Sequence, residues 1–326
     1  MPRSLSEPVF DLFSYARRGP GRRDRWSPTE IAQVARTVGR APEVMVKVLS
    51  RGANNLAAVR KHLDYIDRNG QLGLETDDGH RLQGRDAAED LLTDWDLELD
   101  EHRRSPRLGP TVGKASRLVH KLVFSMPPGT PPDKVLGAVR NFCREEFALR
   151  HRYAMVLHTD EPHPHIHVVV KSFSEDGVRL NIRKDVLRRW RQQFAVHLRA
   201  LGVEANATPR FVRGETQLRM LDAIYRARLR GASRHFRERV EAIADAMRRG
   251  ENITEPGRVQ LLKTRKQVQQ GWLAIREAAI ENGQPALAER IREFASQMAP
   301  PRTGRERLAE HLRRYLERVP NPEKQR

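Results

Sequence analysis

Apolar positions along this chain change their spacing several times. From Val44 to Ser50 and from His120 to Met126 they form short runs rich in β-branched residues, which predict strands. Tyr153–His158 and His165–Phe173 read the same way, joined by a turn that contains Pro162 and Pro164. A further short strand is expected at Val178–Ile182, after Asp176-Gly177. Between these runs the period lengthens to that of a helix. Val59, Leu63 and Ile66 stand at i, i+4 and i+7, a core-facing stripe in a helix expected over Leu56–Asn69 and closed by Gly70. Leu72–Gly84 reads as a hairpin around Asp77-Asp78-Gly79, and Asp86–Leu99 as an acidic helix. Helices are also expected over Pro132–Arg150 and Arg183–Leu201.

Short links join the last three strands, so they are expected to be antiparallel neighbours. The fold class that follows is α+β, a mainly antiparallel sheet with helices packed over one face. The pattern changes after Phe211. Strand signals stop and arginine-rich helical stretches follow, near 215–249, 254–282, 284–298 and 305–318. The expected organisation is a basic N-terminal arm at 1–42 with a short helix after Pro28, a catalytic domain at 43–210, and a basic helical region at 211–326.

Charge narrows the choice of partner. The chain of 326 residues has a net charge of +18, which points to a polyanion, and nucleic acid fits best. No apolar run approaches the length that spans a bilayer, and the N-terminus lacks the apolar core of a signal peptide. The lone Cys143 rules out an internal disulfide and reads as buried filler. A cytoplasmic setting without membrane insertion is the expectation.

The densest chemistry lies at His158-Thr-Asp160-Glu161-Pro-His163-Pro-His165-Ile-His167. Alternate residues of a strand share a face, so His165 and His167 can hold one ion between them. His158, one turn earlier, offers a third imidazole. Three imidazoles leave coordination positions open for substrate. Asp160 is placed to accept a hydrogen bond from a ligand imidazole or to take a proton from a nucleophile. His163 is expected to face away. The second feature is Tyr65, off the apolar stripe of its helix, with Lys61 and His62 on one side and Arg68 and Asn69 on the other. Cations beside a phenol favour its ionised form. A half-buried packing tyrosine is the alternative reading of that position.

The segment His62-Leu-Asp-Tyr65-Ile-Asp-Arg-Asn-Gly70, after a strand and an Arg-Gly turn, resembles the first motif of conjugative relaxases, in particular the mobilisation relaxases of T-DNA border endonuclease type. Ser125-Met-Pro-Pro-Gly-Thr130 resembles that family's middle motif. His158 to Val170 resembles its third, the histidine-hydrophobe-histidine metal site. The resemblance implies that Tyr65 attacks a phosphodiester at the nick site of an origin of transfer, leaving a 5′-phosphotyrosyl adduct and a free 3′-hydroxyl. It implies Mg²⁺ or Mn²⁺ held by His158, His165 and His167, with Asp160 as orienting group or base. Whether His158 is a ligand or itself a base stays open.

Rolling-circle initiators place the tyrosine after the metal motif. Here the helix 183–201 has none, and Tyr65 lies upstream. Arg51, Lys61, Arg68, Lys171, Arg183, Lys184 and Arg188 are candidate contacts to single-stranded DNA, to its phosphates rather than its bases. Accessory relaxosome proteins and a secretion-channel coupling protein are the further partners implied. No GxxxxGK[ST] loop supports a fused helicase motor. The rival functions are a metal-dependent phosphodiesterase that uses water and a non-catalytic DNA-binding protein.

Overall fold

The computed structural model describes residues 25–49, 54–104, 117–215, 231, 233–251, 255 and 257–318. These fall into two compact units. Residues 40–207 form the first; residues 25–39 and the described residues from 208 onward form the second.

The first unit is built on one six-stranded sheet. Its strands are β1 (Met45–Leu49), β2 (Leu74–Thr76), β3 (Arg81–Leu82), β4 (Val119–Ser125), β5 (Tyr153–His158) and β6 (His165–Lys171), in the spatial order β1-β4-β6-β5-β2-β3. Every neighbouring pair is antiparallel. The fold is therefore α+β with an antiparallel sheet. The Val178–Ile182 segment makes no strand, only an isolated bridge between Phe173 and Arg179.

Helices cover both faces, not one. On one side α5 (Pro132–Glu146) and α6 (Lys184–Ala200) bury Phe142, Trp190 and Phe194 against Phe124, Met155 and Val168 of the strands. On the other, α2 (Leu56–Ile66) and α3 (Ala87–Asp94) bury Val59, Leu63 and Leu91 against Val119, Val156 and Val169. A sheet clothed on both faces needs apolar residues on both. That is why β4 is buried along its whole length and β6 has the unbroken run Val168-Val169-Val170. A further helix, α4 (Leu97–Arg104), follows α3, with the break at Asp96, whose φ is 50°.

Helix α2 is capped by Asn55, whose side chain accepts from the Ala58 N–H at 2.8 Å. It ends at Ile66, earlier than the expected Asn69. Arg68, Asn69 and Gly70 all take left-handed backbone angles, with φ of 57°, 55° and 83°. Three such residues in a row cannot continue a right-handed helix. Gly70 is required there, since a Cβ would stand 2.1 Å from the Gly84 carbonyl oxygen.

In the second unit, α1 (Pro28–Val38) opens on a Ser27–Glu30 capping box. It is the short helix expected after Pro28. Rather than trailing as arm, it shares a core with α8 (Gly257–Glu281) and α9 (Pro285–Ser296), centred on Trp272, Ile291 and Phe294. Helices α7 (Arg234–Arg248) and α10 (Gly304–Arg318) meet through Ile243, Ala246 and Ala309. The proposed arm up to residue 24 lies outside the described residues. No described helix is long and apolar enough to cross a membrane.

Candidate metal and nucleophile site

Strands β5 and β6 form a hairpin in which His158 is directly opposite His165, and Val156 opposite His167. Cross-strand partners share a face, and so do i and i+2. All three imidazoles therefore rise from the α2 face of the sheet. Their ring centres lie 5.0 Å (His158–His165), 4.7 Å (His158–His167) and 5.4 Å (His165–His167) apart. One ligand nitrogen from each lies within 4.8 Å of the others.

The residues fit a divalent ion. His158 Nε2 donates to the Ile66 carbonyl at 2.6 Å. That bond fixes the proton on Nε2 and leaves the Nδ1 lone pair free, as in metal-bound histidines whose second nitrogen is anchored. His167 Nδ1 is buried with no hydrogen-bond partner among the described residues. Burial, then the neighbouring His158 and His165, push His167 down to about 3. Burial also lowers His158. Neutral imidazoles are the form that binds metal. A second group, Glu161, His163 and His165, is also close enough to share an ion, but it is more exposed. His163 faces Glu161 at 2.9 Å and takes no part in the first group.

Ile66 ties this hairpin to the end of α2, and Tyr65 is its neighbour in sequence. Because Val59, Leu63 and Ile66 turn inward, Tyr65 turns outward and is 53% exposed. Its ring stands edge-on to that of His167, 6.3 Å between centres. His62 stacks beside Tyr65 at 6.4 Å and meets His167 at 6.1 Å. By sequence, His62 stands among the cations around the phenol. Burial, then the charge of Lys121, instead push it down to about 3, so it is neutral. Its place beside both tyrosine and metal ligand is legible in the sequence only as an i, i+3 neighbour of Tyr65.

Arg68 lies in the left-handed turn after α2. Its guanidinium carbon is 5.4 Å from the Tyr65 ring centre and it pairs with Asp160. The role expected of Asp160 is altered by this. Its carboxylate is 4.0 Å from His158 Nδ1, too far for a hydrogen bond, and His158 is oriented by Ile66 instead. Although desolvation alone would raise Asp160, its own backbone N–H and Arg68 outweigh it and hold the carboxylate below its usual range. A carboxylate so placed accepts protons poorly.

The other candidates divide. Lys61 is exposed on α2. Arg51 lies outside the described residues. Lys171 is buried and pairs with Glu175 at 3.0 Å and Asp100 at 3.9 Å, so its ammonium is committed within the fold. Arg183, Lys184 and Arg188 are exposed, but α6 covers the face of the sheet opposite the histidines. The structure does not bring them to Tyr65. Ser125, in the middle motif, is paired in register with His165, and the Met126 N–H donates to the Pro164 carbonyl at 3.3 Å.

Residues 66–201, under half of the chain, match the family described as "Relaxase: MobA/VirD2-like, nuclease domain". The matched stretch includes the three histidines and begins one residue after Tyr65. The T-DNA border endonuclease VirD2 of Agrobacterium fabrum (strain C58 / ATCC 33970) is 27% identical over 213 residues, covering 60% of this chain and 46% of that protein. The VirD2 of Rhizobium rhizogenes is 26% identical over 136 residues, 39% of this chain and 30% of that protein. The chain thus spans half or less of the length of these relatives. Among solved structures, the conjugative relaxase TrwC in complex with oriT DNA, a metal-free structure, aligns over 78% of this chain and 98% of that chain at 15% identity. Its TM-score of 0.28 is too low to bear on the fold. By sequence the chain resembles relaxases of the VirD2 type.

Proposed function

Taking residues 66–201 as a relaxase nuclease domain of MobA/VirD2-like type, we propose that this protein nicks one strand of DNA at an origin of transfer and becomes joined to it through Tyr65. The observation that carries this reading is the placement of the Tyr65 ring 6.3 Å from His167, beside a cluster of three imidazoles that could hold an ion. A nucleophile exposed on one side and a metal site on the other leave room between them for a phosphodiester.

His158, His165 and His167 would hold the ion, Mg²⁺ or Mn²⁺. Bound there, it would supply Lewis-acid polarisation of the phosphodiester oxygens. The chain's own groups do the rest. The Tyr65 oxygen forms a bond to phosphorus as the bond from phosphorus to the 3′ oxygen breaks. The phenol gives up its proton and the departing 3′ oxygen gains one. The 5′ phosphate stays on Tyr65 as a phosphodiester of similar bond energy, so the strand can be resealed by the reverse step. Arg68 lies over the ring, its guanidinium carbon 5.4 Å from the ring centre. Asp160 holds Arg68 in that position; we assign it a positioning role ahead of a proton-accepting one. His62 is too weak a base to take the proton and keeps the ring in place by stacking. The partners of this reading are a single DNA strand at the origin, accessory relaxosome proteins and a coupling protein of a secretion channel.

Incubating the protein with an origin-containing oligonucleotide and Mn²⁺ tests the proposal. A protein–DNA band that survives denaturation, with a free 3′-hydroxyl on the released fragment, is the expected result. Free 5′-phosphate ends without an adduct would mean hydrolysis by water.

A further inference from the structure

Among the described residues, the half-buried and buried lysines and arginines of the first unit have partners, carboxylates in most cases and backbone carbonyls for Arg191 and Arg199. Arg140 pairs with Glu75, Arg152 with Asp77 and Asp94, and Lys171 with Glu175 and Asp100. Lys121 is the exception. It sits in the middle of β4, only 4% exposed, with no ion-pair or hydrogen-bond partner among the described residues. An ammonium largely withdrawn from water without a counter-charge is costly, and a bound anion would offset that cost.

Register places Lys121 on the functional face. It is opposite Leu49 of β1 and Val169 of β6. Val169 follows His165 and His167 at alternate positions, so Lys121 rises from the same side of the sheet as the metal-binding rings. It stands one two-residue step along from the row that contains Lys47, Val123 and His167. That step is about 7 Å, comparable to the distance between successive phosphates of an extended strand. Its charge is felt at His62, whose ring flanks both Tyr65 and His167. Lys47, in the adjoining row, is exposed. The two lysines thus form a positive track leading away from the histidines along the sheet.

We propose that Lys121 is a positioning residue that binds a non-bridging oxygen of the backbone phosphate next to the scissile one, with DNA supplying a counter-charge that no described residue supplies. This rests on the reading of the protein as a DNA-nicking enzyme. It explains why a lysine stands among apolar neighbours in a strand that is otherwise core. Phosphate contacts of this kind set the register of the strand on the protein without reading its bases.

The test uses the full chain, an origin oligonucleotide, and a set of the same oligonucleotide with single phosphates neutralised as methylphosphonates. Lys121→Met is expected to weaken binding about tenfold and to reduce the salt dependence by one phosphate contact, roughly 0.7 in the log–log slope for a single strand. One methylphosphonate position should weaken wild type by a similar factor and leave K121M unchanged. Lys121→Arg should retain most of the affinity. The thermal midpoint of free K121M should hold or rise, because an unpaired buried charge has been removed. A lowered midpoint together with wild-type affinity and slope would show a purely structural lysine and overturn the proposal. So would a phosphate scan in which K121M and wild type lose affinity at the same positions. If wild type forms the adduct and either of those results is found, only this inference fails. If wild type neither binds nor nicks the strand, the functional reading fails and takes this one with it.

Discussion

Arg68 and Asp160, 92 residues apart in the chain, form an ion pair that joins the turn after α2 to the turn between β5 and β6. The same guanidinium lies over Tyr65. The pair is partly exposed, so its worth is in geometry more than in stability. Arg68→Ala and Asp160→Asn should each slow adduct formation by on the order of 100-fold, the scale of a small displacement at a reacting centre. The double variant should be little worse than either single one, since both break one unit. If Asp160 were instead the base, D160N would move the pH profile of nicking and R68A would not.

Tyr65→Phe should abolish the covalent adduct while leaving binding of the oligonucleotide nearly intact. Tyr153→Phe should leave the adduct unaffected. Tyr153 is buried in the core under α5, and burial pushes its phenol well above the usual range. Gel analysis of denatured reactions separates the two outcomes. An undiminished adduct in Y65F would remove the proposed nucleophile.

His165→Ala and His167→Ala should each lower Mn²⁺ affinity at least tenfold by calorimetry and stop nicking. EDTA should do the same to wild type. DNA binding should survive chelation and remain salt-dependent, because the net charge of +18 supplies that term. Nicking that continues in EDTA would contradict the histidine cluster as a metal site.

Stability of the metal-free protein should fall in mild acid. Burial pushes His62 down to about 3 and His120 to about 4, against an ordinary value of 6.5. Below pH 6.5 the unfolded chain takes up protons that these folded rings refuse. Each ring then costs up to about 1.4 kcal/mol per pH unit until its folded value is reached. Above pH 7 neither group contributes to any pH dependence. Urea midpoints at pH 7 and pH 5 measure the difference; a midpoint that rises towards pH 5 would contradict it.

Gly70→Ala should be strongly destabilising. The position has φ of 83°, and the new methyl would meet the Gly84 carbonyl at 2.1 Å. A loss on the order of 3 kcal/mol is expected. Because the same turn presents Arg68, adduct formation should suffer even at temperatures where the variant remains folded.

What the residues determine locally was readable along the chain. The stripe Val59-Leu63-Ile66 forces Tyr65 outward, and strand alternation puts His165 and His167 on one side, whatever the rest of the molecule does. The antiparallel β5–β6 hairpin followed from a link too short for a crossover, whereas the pairing of β4 with β1 and β6 joins segments distant in sequence. Other features depended on residues distant in sequence meeting in space. The Ile66 carbonyl that orients His158, the Arg68–Asp160 pair, and the neutral state of His62 each need α2 docked on the β5–β6 hairpin. Lys171 and Lys121 look equivalent in the sequence, two lysines in apolar strands. Only packing separates them, because one meets carboxylates from elsewhere in the fold and the other meets none among the described residues. Periodicity is a property of neighbouring residues, whereas burial, proton affinity and pairing are set by whichever distant groups the folded chain brings alongside.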